Sequence, residues 1–350
     1  MRLGIFSVVD HYPGELGRTT AELYGELLEQ VQAADELGFH SFWVAEHHFH
    51  EYGAIPRPPV WMAAAAERTR RIRLGSGVVV LPFDNPLRTA EDYAMVDVLS
   101  AGRLNLGVGS GYLAHEYAGF GVDASSKRER FHEALEILEQ AWRGDRFSYE
   151  GRFHAIREVQ LNVRPLQQPR PPIWIATLRA EGAAAIGARG YPVMLIPYAS
   201  AESIDEIAAG VRAYQRAFVG AGGQLADATV PFGFHTHCAD TTAQARAEAR
   251  GAMDRYVRTR LYAKQRAFDL LIDKDLVAIG DPAEIVRVGR RYAAAGLTDF
   301  LAITNFGGLP HKQVMRSLER MARHVLPELA AVVPTAAATV PEGDRHGHTR

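Results

Sequence analysis

The chain has 350 residues, 47% of them hydrophobic and 23% charged, which is ample for one large barrel or two ordinary domains and excludes global disorder. Its formal net charge of −2, with no long run of one sign, excludes the electrostatic footprint of a nucleic-acid binder. The lone Cys238 excludes an intrachain disulfide and a thiolate zinc cluster, and reads as a small buried hydrophobe in a strand.

The chain opens directly on a predicted apolar strand, Leu3 to Val9, without the basic start of a signal peptide. No stretch reaches the roughly 20 apolar residues of a membrane span, so a cytoplasmic location is expected. The next helix presents Leu23, Leu27, Val31, Ala34 and Leu37 on one face. Strand two is Ser41 to Ala45, and a helix follows Pro58. Strand three is Leu74 to Leu81, and the helix from Thr89 to Leu99 leads to strand four, Leu104 to Val108. The helix bearing Phe131, Leu135, Leu138 and Trp142 comes next. The stretch 146–163 then alternates like a small hairpin and reads as an insertion between strands four and five. Strands five to eight are Ile173 to Thr177, Val193 to Ile196, Val230 to Cys238 and Phe300 to Thr304. A helix near Thr242 to Leu261 precedes an irregular stretch, 262–279. The last helix carries Val314, Leu318, Met321 and Val325.

Gly38, Gly102, Gly190 and Gly296 each sit between a helix pattern and a strand, where a left-handed residue ends the helix. Eight strands alternating with helices predict an α/β fold, a closed (β/α)8 barrel of one domain over residues 1–330. The tail, 331–350, is rich in Ala, Thr, Pro, Gly and His and is expected to be disordered.

Barrel enzymes place their chemistry on the loops after the strands. Those loops carry Asp10 and His11, then Glu46-His47-His48, then Gly77 onward, Gly109-Ser110-Gly111-Tyr112, Thr177-Leu178-Arg179, His235 and His237, and Asn305. A carboxylate beside imidazoles can position and transfer protons near neutral pH. It can equally satisfy backbone groups at the rim, and the residues alone leave both readings open. Gly75-Ser76-Gly77-Val78 suggests either close approach of a ligand or tight barrel packing. Gly107-Val108-Gly109-Ser110-Gly111 lacks a Walker lysine and fits a cradle for a flat ring system as well as a phosphate loop. Arg179, ahead of Glu181 and Gly182 at a helix start, with Arg128 and Arg130 near another, could meet a phosphate.

Together these pieces resemble the bacterial luciferase-like family of flavin-dependent monooxygenases and oxidoreductases. The resemblance runs from Met1 to about Pro327. It rests on Glu36-Leu37-Gly38-Phe39 through Ala45-Glu46-His47-His48-Phe49, on Ile72 to Val78 with Leu81-Pro82 and Asn85 to Arg88, on Ser100 to Arg103 with Gly107-Val108-Gly109, on Glu116 to Gly121, and on Pro171 to Ala176. It implies reduced FMN at the barrel mouth, supplied by a separate flavin reductase. It also implies O2 activation as a flavin C4a-peroxide and oxygenation of a small organic substrate. His47 matches the family's active-site histidine, with Glu46 expected to orient a histidine or hold the flavin edge. Gly77–Val78 match a non-proline cis peptide beneath the flavin. Ser110 stands where bacterial luciferase has a phosphate-binding arginine, so Arg128, Arg179 and helix N–H groups, with Gly111, Tyr112 and Gly182, are the expected cofactor contacts. Tyr198, Phe234 and Phe306 are expected to line the substrate space, and 262–279 to form a lid.

Two alternatives remain. An F420-dependent dehydrogenase or reductase uses the same barrel, and Ser110 keeps it open. A metal-dependent barrel hydrolase would use His235-Thr236-His237 with His47 and His48, but that His-x-His falls on strand seven rather than strand one. No metal is therefore expected. An Ala-rich helix pair after strands two and three points to a homodimer.

Overall fold

The computed structural model describes residues 1–178, 180–196, 201–260 and 265–335. Its strands are β1 (Arg2–Ser7), β2 (Ser41–Val44), β3 (Arg73–Val80), β4 (Leu104–Gly109), β5 (Phe147–Glu150), β6 (Ala155–Val159), β7 (Ile173–Ala176), β8 (Val193–Met194), β9 (Pro231–Cys238), β10 (Ala278–Gly280) and β11 (Asp299–Ile303). The main sheet runs β10-β9-β11-β1-β2-β3-β4-β7-β8, and its pairings are parallel. Just beyond β8, Leu195 pairs with Phe232 of β9. Its N–H donates to Pro231 at 3.1 Å and its carbonyl accepts from Gly233 at 3.2 Å, which closes eight strands into a ring. β10 lies outside that ring, beside the end of β9.

All eight predicted barrel strands are present, with ends shifted by a residue or two. Their side chains are buried on both faces, as β1, β2, β9 and β11 show, because helices cover the outside and side chains fill the inside. Trp43 of β2 meets Trp174 of β7 edge to face, with ring centroids 5.4 Å apart. A Cβ on Gly75 would run into the Trp43 ring, so that glycine is a packing requirement.

The four glycines expected to end helices have φ between 76° and 95°, the left-handed region. The 146–163 stretch forms the antiparallel hairpin β5–β6. The irregular stretch expected at 262–279 is more regular than its sequence pattern. It holds a helix, Phe268–Asp273, and the short strand β10; residues 261–264 lie outside the described residues. A three-residue strand leaves no periodicity to read. Most of the expected disordered tail, 336–350, also lies outside them, while the N–H of Thr335 donates to Ala293 at 3.0 Å. Among the described residues, no helix is long and apolar enough to cross a membrane. Cys238 is buried, and burial pushes its thiol up to about 12.

Asp35, near the end of the Thr20–Glu36 helix, sets the approach to β3. Its buried carboxylate accepts from the N–H groups of Arg70, Arg71 and Ile72 at 2.9, 2.8 and 2.6 Å. Burial raises its pKa, but the three N–H donors outweigh that and hold it below the usual carboxylate range. Asp35→Ala removes a charged acceptor and leaves three backbone donors to find water, a loss of about 3 kcal/mol in chemical denaturation. Because the folded pKa is depressed, the Asp35 contribution is present above the unfolded pKa and fades as pH falls through the folded one. A mutant whose stability matches the wild type at pH 7 would contradict this.

Candidate functional site

At the C-terminal ends of the strands lies a cavity of about 940 Å³, within the range of small-molecule sites. Parallel closure explains the position, since every β-to-α loop opens on that end. Of the sequence candidates, Glu46, His47, Gly77, Val78, Ser110, Gly111, Tyr112, Arg128 and Gly182 all line it.

His47 follows β2 and is 9% exposed. Its Nδ1 lies 3.1 Å from Oε1 of Glu116, which sits on the Ala114–Phe120 helix after β4. The same carboxylate oxygen accepts the backbone N–H of His48 at 2.9 Å. An acceptor-only carboxylate fixes Nδ1 as the protonated nitrogen and leaves Nε2 with the lone pair. Burial lowers the His47 pKa, and Glu116 opposes that without reversing it, so the ring is neutral at neutral pH. Glu46 pairs instead with Nε2 of His48, at 3.2 Å. Burial raises the Glu46 pKa, against its bond to His48. The residue that orients His47 is thus Glu116 and not its neighbour Glu46. The two strand neighbours point apart, and a carboxylate from another loop reaches the ring instead. His48 turns its ring toward Phe120, edge to face at 4.7 Å.

A second wall is glycine-rich. The Gly77–Val78 peptide is cis. A Cβ on Gly77 would collide with Phe6, one on Gly109 would lie 2.8 Å from Val78, and one on Gly111 would lie 2.8 Å from Val80. Neighbouring side chains already fill the space a Cβ would take, so glycine is a packing requirement at these positions, and these residues bring no side chain of their own to the cavity wall. On the flank of β4 and β7, Lys127 and Arg128 open the 17-residue Lys127–Arg143 helix and face the cavity, as does Gly182 near the start of the Ala180–Gly187 helix. Two cations beside a helix N-terminus suit an anion such as a phosphate. Lys127 escaped the sequence reading, although its place beside Arg128 was a usable signal. Arg130 does not line the cavity. Its guanidinium bonds Ser126 at 3.0 Å and stacks on Phe153 at 4.2 Å.

The opposite flank was missed. Tyr52 from the loop after β2, with Tyr256 and Arg260 from the helix that follows β9 and its end, line the cavity beside Tyr112. Arg260 is 6% exposed and donates to the Tyr256 hydroxyl at 3.0 Å. Its guanidinium lies 4.5 Å over the Tyr52 ring, whose centroid is 4.5 Å from that of His47. No motif announces residues that converge only through loop packing.

The expected substrate wall needs correction. Phe234 is fully buried and stacks on Phe300, with centroids 4.8 Å apart, and meets Tyr292 of the outer helix layer at 4.5 Å. It therefore faces outward from β9. Phe306 is also fully buried, packed edge to face on His235 at 5.0 Å, behind the cavity rather than on its wall. Tyr198 and Arg179 lie outside the described residues. His237 pairs with Glu248 at 2.7 Å, while burial takes the His235 pKa down to about 3. Among the described residues, no group of three or more His, Cys, Asp or Glu could hold a metal.

The family model for luciferase-like monooxygenases matches residues 1–299. The oxygenase component of the flavin-dependent trigonelline monooxygenase of Acinetobacter baylyi is 36% identical over 178 residues, covering 50% of this chain and 49% of that one. The 4-hydroxyprotoasukamycin monooxygenase of Streptomyces nodosus subsp. asukaensis is 28% identical, covering 86% of this chain and 85% of its own. An F420-dependent glucose-6-phosphate dehydrogenase of Amycolatopsis mediterranei is 34% identical over 45% of this chain and 50% of its own. Several of the curated relatives are matched over only about half their length. Among solved structures, the monooxygenase RslO1 from Streptomyces bottropensis superposes with a TM-score of 0.87 at 30% identity, over 93% of this chain and 99% of that one. The oxygenating constituent of a 3,6-diketocamphane monooxygenase of Pseudomonas putida, in complex with FMN, shares the fold, with a TM-score of 0.81 at 19% identity over 95% of this chain and 99% of its own.

The Glu116 carboxylate raises the proton affinity of His47 against burial. Glu116→Gln keeps an acceptor but removes the charge. The His47 protonation midpoint, followed by NMR of histidine-labelled protein, should move further down. A midpoint that stays or rises would remove Glu116 from its electrostatic role.

Proposed function

Because the chain belongs to the luciferase-like monooxygenase family, we propose that it is the oxygenase of a two-component flavin-dependent monooxygenase. It takes reduced FMN from a separate reductase and uses O2 to oxygenate a small organic substrate. The observation that carries this reading is the buried His47 imidazole, its Nδ1 3.1 Å from Oε1 of Glu116, on the wall of a cavity of about 940 Å³. The A. baylyi relative, described as an oxygenase component, supports the need for a reductase.

The residues present fit FMN. Gly77, Gly109 and Gly111 line the cavity without side chains of their own, and Lys127 and Arg128 at their helix start offer charge for one phosphate. That charge stands where Ser110 offers none. Bound flavin supplies the electrons and the oxygen chemistry. The protein holds a proton acceptor at His47 Nε2, keeps Nδ1–H on Glu116, and walls the cavity from water with Tyr52, Tyr112 and Tyr256. The catalytic assignment is His47, with Glu116 as its positioning residue; Glu46 supports His48.

Anaerobic titration should show tighter binding of reduced FMN than of F420. His47→Ala should lower oxygenation with FMN, reductase and O2 by about 10²–10⁴-fold while changing FMN affinity by no more than about threefold. F420 binding tighter than FMN would turn the reading to a deazaflavin oxidoreductase. Loss of FMN binding alone in the mutant would make His47 a cofactor contact.

The protein also acts as a homodimer in this reading. The helices Pro58–Arg68 and Pro86–Leu99 pack side by side after β2 and β3, and expose Val60, Met95, Val98 and Leu99. A second copy covering this face would remove that apolar surface from water. Val60→Asp with Met95→Asp should halve the mass measured by light scattering; a monomeric wild type would overturn the assignment.

A further inference from the structure

Oxygen chemistry in a cavity acts on whatever the cavity presents to it. Among the described residues on the lining, Met194 is the only methionine or cysteine. Strand alternation turns its side chain inward: Met194 and Ile196 line the cavity, while Val193 and Leu195 between and before them do not. The backbone holds that direction. Met194 pairs with Ala176 of β7, its carbonyl accepts the Thr177 N–H at 3.1 Å, and Leu195 next to it makes the bridge to β9. Met194 is 2% exposed, so an oxidant reaches it through the cavity and not from the outer surface.

A thioether is soft, polarizable and readily oxidised to a sulfoxide. Without an organic substrate, reduced FMN passes two electrons and two protons to O2, which becomes hydrogen peroxide. The Met194 sulfur then attacks one peroxide oxygen with its lone pair. The O–O bond breaks, a sulfur–oxygen bond forms, and the other oxygen leaves as water with both protons. The sulfur is oxidised, the peroxide is reduced, and no further reactant is needed. One peroxide molecule in a cavity of about 940 Å³ amounts to a local concentration of about 2 M. The same molecule, once it escapes, is diluted far below that at any outer methionine.

Resting on the oxygenase reading above, we propose that Met194 is a self-oxidation site: turnover without organic substrate converts it to the sulfoxide, and this modification weakens cofactor binding. The sulfoxide is a strong, polar acceptor. Ala176, its register partner, and Ile196, two residues on, make that stretch of the lining apolar. An acceptor without a partner on such a wall costs free energy in the closed, occupied cavity. An organic substrate takes the oxygen instead and so protects the protein.

Peptide mass mapping of the full-length protein tests this. Trypsin leaves Met194 as the one methionine of 190–212, and Met315, half-buried on the His311–His324 helix, as the one methionine of 313–316. One sample receives repeated additions of reduced FMN in air, below the protein concentration, with and without catalase. A flavin-free sample receives hydrogen peroxide from outside. With reduced FMN the gain of one oxygen should appear first on the Met194 peptide, catalase or not; with external peroxide Met315 should lead. FMN affinity, followed by flavin fluorescence, should fall in step with Met194 sulfoxide. Met194→Leu conserves the volume and should keep its affinity through the same additions. Met315 leading in both samples would overturn the proposal, as would catalase abolishing Met194 oxidation, or affinity that survives full sulfoxidation. Should Met194→Leu fail to fold, the wild-type mapping decides alone. Protein that binds no reduced FMN sinks the oxygenase reading and this proposal with it. Protein that binds it, consumes O2 and keeps Met194 intact sinks this proposal only.

Discussion

Parallel closure of the sheet is the constraint on which the rest depends. Eight strands that all run the same way place the loop after every strand at one mouth. Among the described residues the ring closes through one bridge, Leu195 to Phe232, just beyond the two-residue β8. Residues scattered from Phe6 to Ile303 therefore face one cavity although they come from many separate segments. Away from the cavity lining, Trp43 packs against Trp174, with Gly75 giving the Trp43 indole its room. A cavity with a packed floor and a loop-built rim can change its chemistry through loops without disturbing the sheet.

Within that frame one carboxylate oxygen does two tasks. Oε1 of Glu116 accepts from the His47 ring and from the His48 backbone. The first bond sets which nitrogen carries the proton. The second pins the loop after β2 to the helix after β4, so the ring's direction does not drift. A buried imidazole without such a partner would lose proton affinity to desolvation and would be free to exchange tautomers. His235 shows the desolvation effect in the same molecule, its pKa taken down to about 3 by burial alone.

The sequence made the scaffold legible because helix and strand periods differ and because glycine marks helix ends. It also made the strand-end candidates legible, since barrel topology says where to look. His47, Gly77, Ser110 and Arg128 reach the cavity for that reason. Phe234 was misplaced because a strand buried on both faces offers no alternation to tell inward from outward, and its ring meets Tyr292 in the helix layer. Glu116, Tyr52 and Arg260 went unassigned for a different reason. Their partners lie 69 residues away for Glu116 and 204 away for the pairing of Tyr52 with Tyr256, and no pattern within one segment encodes such distances.

Ser110 posed the sharpest difficulty for a flavin site, and the geometry shows how a barrel can answer it. A phosphate needs charge and donors at a place, not from a particular strand. The Lys127–Arg143 helix begins at the cavity, and its first two residues are the cations. The helix dipole adds to the charge of those side chains. In the proposed reading, charge absent from the loop after β4 comes from the Lys127–Arg143 helix without any change in the sheet. In the proposed reading this shift has a second effect. The loop at Ser110 and Gly111 stays small and flat, and it is held down by the Tyr117 hydroxyl, which donates to the Ser110 carbonyl. In that reading, charge at the helix start meets the phosphate while Gly109 and Gly111 bring no side chains to the cavity wall.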